Sequence, residues 1–302
     1  MRGIKGPDRY LPHCVGHEAS GLVQEIGPGV TKVKRGDYVV LTWIKGMGLE
    51  APSCTYFKDK IKINSGAITT FNEFSVISEN RILKVSDEVS PDVVALLGCA
   101  VPTGAGMVKN SLNIKPDDIL VIFGVGGVGL SAILYANAIG CSDIIAVDIY
   151  DKKLGLAKDF GASDIINFKN EDPIDKIKEL TDNKGADFAI ESSGAKAAME
   201  ATFNSIKNRG VAVIAGNIKK GEKICINPYG LILGKKIIGT WGGETKPDDD
   251  IPYYEKLYLD GKLKLDKLIT NIYKLENINK AFEDIEKNKV LGRAIIHINF
   301  KN

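Results

Sequence analysis

The chain has little of what builds a nucleic-acid or membrane surface. Only six arginines occur among its 302 residues, and 40 basic against 38 acidic side chains leave a formal net charge of +2. Clustered guanidinium groups are what grip phosphates, so no nucleic-acid partner is expected. No apolar run approaches the roughly 20 residues that span a bilayer, and the first residues contain no apolar signal-peptide core, so no membrane partner is expected either.

Cysteine is also scarce, and its distribution excludes a disulfide framework. The five cysteines are an odd number and are spread widely along the chain. Such usage is typical of a protein from a reducing compartment. We therefore predict a cytoplasmic protein.

The pattern of apolar residues changes near residue 100. Before that point, short alternating runs such as GLVQEIG, GDYVVLTW and TTFNEFSVISENRILKV are interrupted by Gly, Pro and Asp, a pattern typical of an antiparallel β-domain. From residue 117, evenly apolar runs (ILVIFG, DIIAVD, DIIN, DFAIES, GVAVIAG and KKIIGTW) alternate with helical patterns at 127–139, 151–160, 173–181 and 195–206. Strands that are apolar throughout are buried on both faces, which predicts a parallel, doubly wound sheet.

This change of pattern predicts an α/β protein with a smaller, mainly β domain. The expected divisions are a first domain at 1–100, a sheet domain at 101–240, and a segment at 241–302 that returns to the first domain with helices and a last strand.

A glycine-rich loop stands at the head of the βα series. The stretch ILVIFGVGGVGLSAIL carries the spacing G-x-G-x-x-G at Gly124, Gly126 and Gly129, between a predicted strand and a predicted helix, with Gly127 and Val128 inside the loop. The first glycine permits the tight turn, the second permits close approach of a pyrophosphate, and the third permits helix packing. The loop predicts a dinucleotide site; the alternative is a turn that only packs helix on strand.

An acidic residue follows at the spacing that selects the cofactor. Asp148 ends the next strand, nineteen residues after Gly129, where a carboxylate accepts the adenosine ribose hydroxyls and repels a 2′-phosphate, so NAD is expected over NADP. Lys152 and Lys153 follow; Lys153 is a candidate cofactor contact that would soften this preference, or both are solvated residues of a helix's first turn.

A histidine and a carboxylate adjoin in VGHEASGLVQEIG. An unpaired imidazole or carboxylate is costly to bury, so His17 and Glu18 need partners. From the pair alone, a hydrogen-bonded corner at the surface and a metal site both remain open.

Four segments together resemble the zinc-dependent medium-chain alcohol dehydrogenases. The pattern GHExxGx5GxxV that begins at Gly16 resembles their zinc signature, LLGCAVPTGAG their second ligand segment, VIFGVGGVGLSAI their cofactor loop, and DIPYYEKLYLDGKL...VLGRAII their C-terminal stretch. The resemblance runs from about residue 10 to the end, and it implies a Rossmann sheet domain plus a GroES-like catalytic domain.

The resemblance implies a catalytic Zn²⁺ with His17 and Cys99 as ligands and Glu18 as the acidic residue beside it, which we also count among the candidate ligands. Histidine, cysteine and carboxylate are the ligands that zinc favours. The alternative for Cys99 is a small buried residue. By the same resemblance, Thr103 is a catalytic residue at the nicotinamide.

The resemblance also supplies cofactor contacts and a partner. Gly216, Asn217 and Arg293 match the turn after the fifth sheet-domain strand, the residue beside the nicotinamide, and the basic residue reaching the diphosphate; the alternative for Arg293 is an exposed position at a strand start. Substrate-pocket walls are expected near Trp43 and at 240–241. The run KKIIGTW resembles the edge strand through which relatives pair, so a homodimer or higher homo-oligomer is expected.

Two features depart from the family pattern. The family's first zinc ligand, a cysteine followed by Ser or Thr, would precede the first residue here, so we expect an N-terminally truncated chain or a relative with two or three zinc ligands. Cys14 has a ligand-like C-x-x-H spacing but is expected to pack as an ordinary residue. The lobe that holds a structural zinc in many relatives has Cys54 alone, so no structural zinc is expected.

The implied activity is hydride transfer between an alcohol and NAD on one zinc ion, giving an aldehyde or ketone. Two alternatives stay open from the sequence: a zinc-free NAD(P)H reductase of the same superfamily, and a non-catalytic NAD-binding remnant.

Overall fold

A computed structural model describes residues 10–298. The chain divides into two compact units, one made of Met1–Pro102 with Lys246–Asn302, the other of Thr103–Thr245. These divisions lie within five residues of the predicted ones at 100 and 240, and the C-terminal segment belongs to the first unit. Residues 1–9 of the predicted first domain and residues 299–302 of the predicted C-terminal segment lie outside the described part.

The regular elements are numbered in chain order. The strands are β1 (Glu18–Leu22), β2 (Tyr38–Thr42), β3 (Thr55–Lys58), β4 (Ile61–Asn64), β5 (Ile82–Lys84), β6 (Ile119–Phe123), β7 (Asp143–Asp148), β8 (Asp164–Asn167), β9 (Ala186–Glu191), β10 (Ile206–Ile214), β11 (Lys236–Gly239), β12 (Ile269–Lys274) and β13 (Arg293–His297). The α-helices are α1 (Pro91–Leu96), α2 (Ala100–Gly106), α3 (Gly127–Ala138), α4 (Asp151–Asp159), α5 (Pro173–Leu180), α6 (Lys196–Ser205), α7 (Pro228–Ile232), α8 (Pro247–Leu259) and α9 (Ile278–Glu286).

The second unit is a six-stranded parallel sheet in the order β11-β10-β9-β6-β7-β8. The predicted α/β class is confirmed, and α3 to α6 lie within one residue of the predicted helices at each end. Successive residues of β6, Leu120 to Phe123, are all fully buried, so the sheet is covered on both faces. The strand order reverses between β6 and β9, and the carboxyl ends of strands at such a switch point form the usual ligand crevice of this fold.

The first unit is mainly β, with β1-β2-β5 antiparallel, a β3-β4 hairpin and a parallel β12-β13 pair. The C-terminal segment joins it through side chains: the Glu255 carboxylate accepts from the Ser86 amide at 2.6 Å, and His297 Nε2 lies 2.7 Å from an Asp92 carboxylate oxygen. None of the described helices is long and apolar enough to cross a membrane.

Two predicted strands of this unit are wrong in extent. GLVQEIG is a strand only to Leu22: the Val23 amide still donates to Asp37 O at 3.0 Å, but the residues after Val23 leave the pairing with β2 and lead into the turn at 28–29. In TTFNEFSVISENRILKV only Ile82–Lys84 is a strand. Its earlier part folds on itself, where the Ser75 hydroxyl donates to Thr69 O at 2.5 Å, and such local side-chain hydrogen bonds compete with sheet pairing.

Candidate active site

The first unit brings His17 and Cys99 together. His17 Nε2 lies 3.2 Å from Cys99 Sγ, although 82 residues separate them in the chain. His17 directly precedes β1, and Cys99 lies in the turn between α1 and α2. The turn approaches β1 and β2 closely because Gly98 has no side chain: a Cβ there would stand 2.3 Å from Leu41 O and 2.8 Å from Glu18 Cβ.

The two side chains fit adjacent corners of a zinc site. Zn–S and Zn–N bonds of about 2.3 and 2.05 Å at a tetrahedral angle place the two ligand atoms roughly 3.5 Å apart. The observed separation of 3.2 Å is close to that value. Within residues 10–298, no third His, Cys, Asp or Glu joins them in a ligand cluster.

Glu18 has other partners for both carboxylate oxygens. Oε2 accepts from the backbone amide of Ala100 at 3.1 Å, and Oε1 forms an ion pair with Arg293. These contacts fix the position of Ala100, which directly follows Cys99. They do not favour Glu18 as a direct zinc ligand, and that role stays a prediction. Arg293 is partly buried in the pair, and its predicted contact with the diphosphate likewise stays a prediction.

The predicted pocket wall Trp43 lies beside His17. The two rings meet edge to face, with centroids 6.5 Å apart and an interplanar angle of 87°. The backbone oxygen of Trp43 accepts a hydrogen bond from the Arg81 guanidinium, which also lies 3.8 Å from a Glu50 carboxylate oxygen. Arg81 was not singled out from the sequence. Arginine is rare in this chain, with six among 302 residues, so each arginine is a candidate for a specific role.

In the second unit, the glycine loop has the form of a phosphate cradle. Gly124 has φ +89°, and a Cβ there would stand 2.7 Å from the Ser193 side chain; at Gly129 it would stand 2.0 Å from Gly124 O. Gly126 instead faces open space, with nothing within 4 Å of a Cβ position. It begins α3 without a side-chain cap, so the first-turn amides of Gly127, Val128 and Gly129 are available to an anion.

Asp148 ends β7 next to this loop. One carboxylate oxygen accepts from the Val125 amide at 2.9 Å, and the other from Ile149 at 2.7 Å and Tyr150 at 3.1 Å. The carboxylate therefore braces the glycine loop, and its remaining lone pairs suit a ribose hydroxyl. Lys153 lies over the Tyr150 ring, 5.4 Å from its centroid, and its predicted cofactor contact is untested.

Three further predicted contact residues, Thr103, Gly216 and Asn217, lie in the second unit. Thr103 has a buried hydroxyl that pairs with none of the described residues, which suits a hydrogen bond to a ligand. Next to it, a Cβ on Gly104 would stand 2.3 Å from Val128 O, so the chain packs tightly on the first turn of α3. Gly216 and Asn217 lie against Gly194, as backbone-to-backbone neighbours.

Sequence reasoning also missed Glu191. It ends β9 as Asp148 ends β7, a carboxylate after a buried apolar strand, and this shared position is the signal that would have found it. Its side chain is fully buried, with 0% exposure.

A parallel dinucleotide-type sheet together with a His–Cys pair in a β unit defines the class of zinc-dependent medium-chain dehydrogenases. Residues 1–87 match the family model described as the alcohol dehydrogenase GroES-like domain, and residues 127–258 match the zinc-binding dehydrogenase model. The chain belongs to the zinc-dependent medium-chain alcohol dehydrogenases, as the sequence resemblance predicted.

Individual relatives match over nearly the whole chain. The class-3 alcohol dehydrogenase of Pisum sativum is 33% identical over 96% of this chain and 84% of that protein. Among solved structures, benzyl alcohol dehydrogenase from Acinetobacter calcoaceticus has a TM-score of 0.86 and 33% identity, covering 96% of this chain and 85% of that one. An alcohol dehydrogenase zinc-binding domain protein from Burkholderia ambifaria has a TM-score of 0.87 and 32% identity, covering 97% and 87%.

Proposed function

We propose that this chain catalyses the reversible oxidation of an alcohol to an aldehyde or ketone with NAD, on a zinc ion held by His17 and Cys99. One observation carries the assignment of residues: the imidazole nitrogen and the thiol sulfur lie 3.2 Å apart. A small hydroxyl compound is the substrate class, in keeping with relatives named alcohol dehydrogenase and benzyl alcohol dehydrogenase.

Each residue near the metal ligands has a separate task. When bound, zinc supplies Lewis-acid polarisation of the substrate oxygen. Glu18 fixes the turn that carries Cys99 through the Ala100 amide, and Arg293 balances the charge of Glu18. The Trp43 ring meets the His17 ring edge to face and so orients the imidazole, which itself remains exposed.

The second unit binds the other reactant. When bound, NAD would supply the hydride acceptor for oxidation of the alcohol. The uncapped first-turn amides of α3 would hold the diphosphate, and the buried Thr103 hydroxyl would contact the nicotinamide end. Asp148 accepts the ribose hydroxyls and disfavours a 2′-phosphate, which supports NAD over NADP.

We also propose a homodimer formed along β11. This strand is an edge of the six-stranded sheet, where unpaired backbone groups are open to a second copy. On the same unit, α7 exposes Ile232 by 77%, and Trp241, which follows β11, is exposed by 75%. An exposed apolar surface next to a free sheet edge is typical of an association site.

The dimer proposal is tested by light scattering at micromolar concentration. Twice the chain mass supports it, and a monomer contradicts it. Ile232→Glu is expected to produce monomers, while Ile285→Glu, an equally apolar exposed change on α9 of the first unit, is expected to leave the dimer intact.

A reducing compartment, the cytoplasm, is the proposed location. No disulfide joins any of the five cysteines, all of which lie in the described part of the chain, and a catalytic thiolate ligand requires reduction.

Turnover tests the catalytic proposal. The purified chain, supplied with zinc, is assayed for NADH formation with primary, secondary, aromatic and polyol alcohols. Turnover of at least one alcohol that a chelator abolishes and zinc restores supports the proposal. NAD binding without turnover of any alcohol contradicts it.

A further inference from the structure

Glu191 is a buried carboxylate that has no role in the proposed reaction. It stands at the carboxyl end of β9, directly beside β6 at the switch point of the sheet, and is fully buried. Burying an ionised carboxylate without hydrogen-bond donors is costly, so the groups that contact Glu191 indicate its role.

One oxygen of this carboxylate holds the segment that follows β9. Glu191 Oε1 accepts three hydrogen bonds: from the Ser193 amide at 2.8 Å, the Ser193 hydroxyl at 2.6 Å and the Gly194 amide at 2.8 Å. Three charge-assisted donors on one oxygen fix residues 192–194 as a rigid turn.

The turn at 192–194 supports the glycine loop on one side. The Ser192 amide donates to Phe123 O at 2.9 Å, and its hydroxyl donates to Gly124 O at 2.7 Å. Ser193 occupies the space that a Cβ on Gly124 would need, at 2.7 Å. The position of the first cofactor glycine is therefore set by the turn that Glu191 holds.

The same turn supports the loop after β10 on its other side. Gly194 lies close to this loop, since a Cβ on it would stand 2.7 Å from Asn217 O. A Cβ on Gly216 would stand 2.4 Å from Glu191 Oε2 and 2.3 Å from the Gly194 amide nitrogen. Glu191 Oε2 pairs with none of the described side-chain or backbone donors, so this oxygen acts by occupying the space beneath Gly216.

We propose that Glu191 is a positioning residue for the dinucleotide: its carboxylate spaces the glycine loop from the loop at 215–217 by fixing the turn between them. The inference rests on the proposed NAD-dependent function and deepens it. Glu191 does not touch the cofactor in this account; it sets the distance between two loops that do.

The test measures NADH binding by fluorescence titration of the purified chain, without substrate, alongside thermal unfolding. Glu191→Gln keeps the size and shape of the side chain, but it weakens the three hydrogen bonds to Oε1 and places an NH₂ group next to Gly216. We therefore expect the Kd for NADH to rise roughly tenfold. In turnover, KM for NAD is expected to rise while KM for the alcohol does not.

The matched control is Asp187→Asn, at the opposite end of the same strand. Asp187 also accepts a backbone amide, that of Ile119 at 3.0 Å, and pairs with Lys207. This variant is expected to lower Tm while leaving the Kd for NADH unchanged. Ser193→Ala, which removes one donor to Oε1, gives a milder variant that is expected to raise the Kd about threefold.

The outcomes separate the two proposals. If the unaltered chain does not bind NADH, the proposed function fails. If it binds NADH and the Kd for NADH is unchanged in both Glu191→Gln and Ser193→Ala, the inference is overturned, whether or not Tm falls. If Glu191→Gln does not fold, Ser193→Ala alone decides by the same criterion.

Discussion

Glu18 and Arg293 form an ion pair although 275 residues separate them in the chain. The pair joins the start of β1 to the start of β13 within one unit. Glu18 also accepts the Ala100 amide, next to Cys99, so the charge pair and the proposed zinc ligand belong to one hydrogen-bonded arrangement. Partners that orient the ligands of a metal are usually almost as important to its binding as the ligands.

Removing the charge of Glu18 is expected to weaken zinc binding. Glu18→Gln leaves an acceptor for Ala100 but no partner charge for Arg293, and we expect zinc affinity to fall roughly 10- to 100-fold in competition with a chelator. Glu283→Gln, which breaks an exposed pair with Lys287 in the same unit, is the control and should bind zinc as the unaltered chain does. Equal affinity in Glu18→Gln would exclude the positioning role.

The turn before Cys99 does not accommodate a side chain at Gly98. The Cβ of Gly98→Ala would meet Leu41 O at 2.3 Å, so we expect a loss of about 1–3 kcal/mol in the free energy of unfolding and weaker zinc binding. Gly27→Ala, where nothing lies within 4 Å, is the matched control and is expected to unfold as the unaltered chain does. Denaturant titration measures the unfolding midpoints of both variants and of the unaltered chain. Identical midpoints for Gly98→Ala and the unaltered chain would contradict the prediction.

Cofactor choice is expected to depend on Asp148. Asp148→Asn removes the charge that repels a 2′-phosphate, so the ratio of kcat/KM for NAD to that for NADP should fall at least tenfold. Absolute affinity for NAD should also fall, because the same carboxylate holds the Val125 amide. Asp159→Asn, exposed on α4, is the control. An unchanged ratio would show that cofactor choice lies elsewhere.

Acid stability is expected to depend on Glu79. Hydrogen bonds from the backbone amides of Leu49, Lys32 and Thr31 hold the pKa of the Glu79 carboxyl below its ordinary value. A carboxyl with a lowered folded-state pKa stabilises the fold above its unfolded pKa of about 4.3, and this contribution is lost as the pH falls through the folded pKa.

Glu79→Gln tests this dependence through Tm measured against pH. The variant should have a lower Tm at pH 7 and a smaller further loss on acidification below about pH 4.3 than the unaltered chain. Glu73→Gln, at an exposed position nearby, should retain the original profile. Parallel profiles for Glu79→Gln and the unaltered chain would contradict the assignment.

The second unit was largely predictable because its signals are local. Each buried strand is one apolar run, and the glycine loop with Asp148 lies within 25 residues of sequence. The first unit was less predictable from sequence. The run TTFNEFSVISENRILKV alternates like a strand, but the Ser75 side chain in it hydrogen-bonds to the nearby backbone of Thr69, and most of the run forms no strand.

The contacts that organise both sites were beyond the sequence. Nothing in the spacing of Glu18 indicates Arg293 as its partner, and nothing near Trp43 indicates that Arg81 binds its backbone oxygen. Such pairs form only after the chain has folded. The family resemblance supplied His17 and Cys99, and their distance is the structural result that sequence patterns do not contain.

The most direct test of the account is the zinc content of the purified chain by elemental analysis, with variants of the two proposed ligands. About one zinc per chain is expected in the unaltered protein and in Cys54→Ala, and almost none in the double variant His17→Ala, Cys99→Ala. Zinc that persists in the double variant, with Tm unchanged, would contradict the central claim that these two side chains hold the catalytic metal.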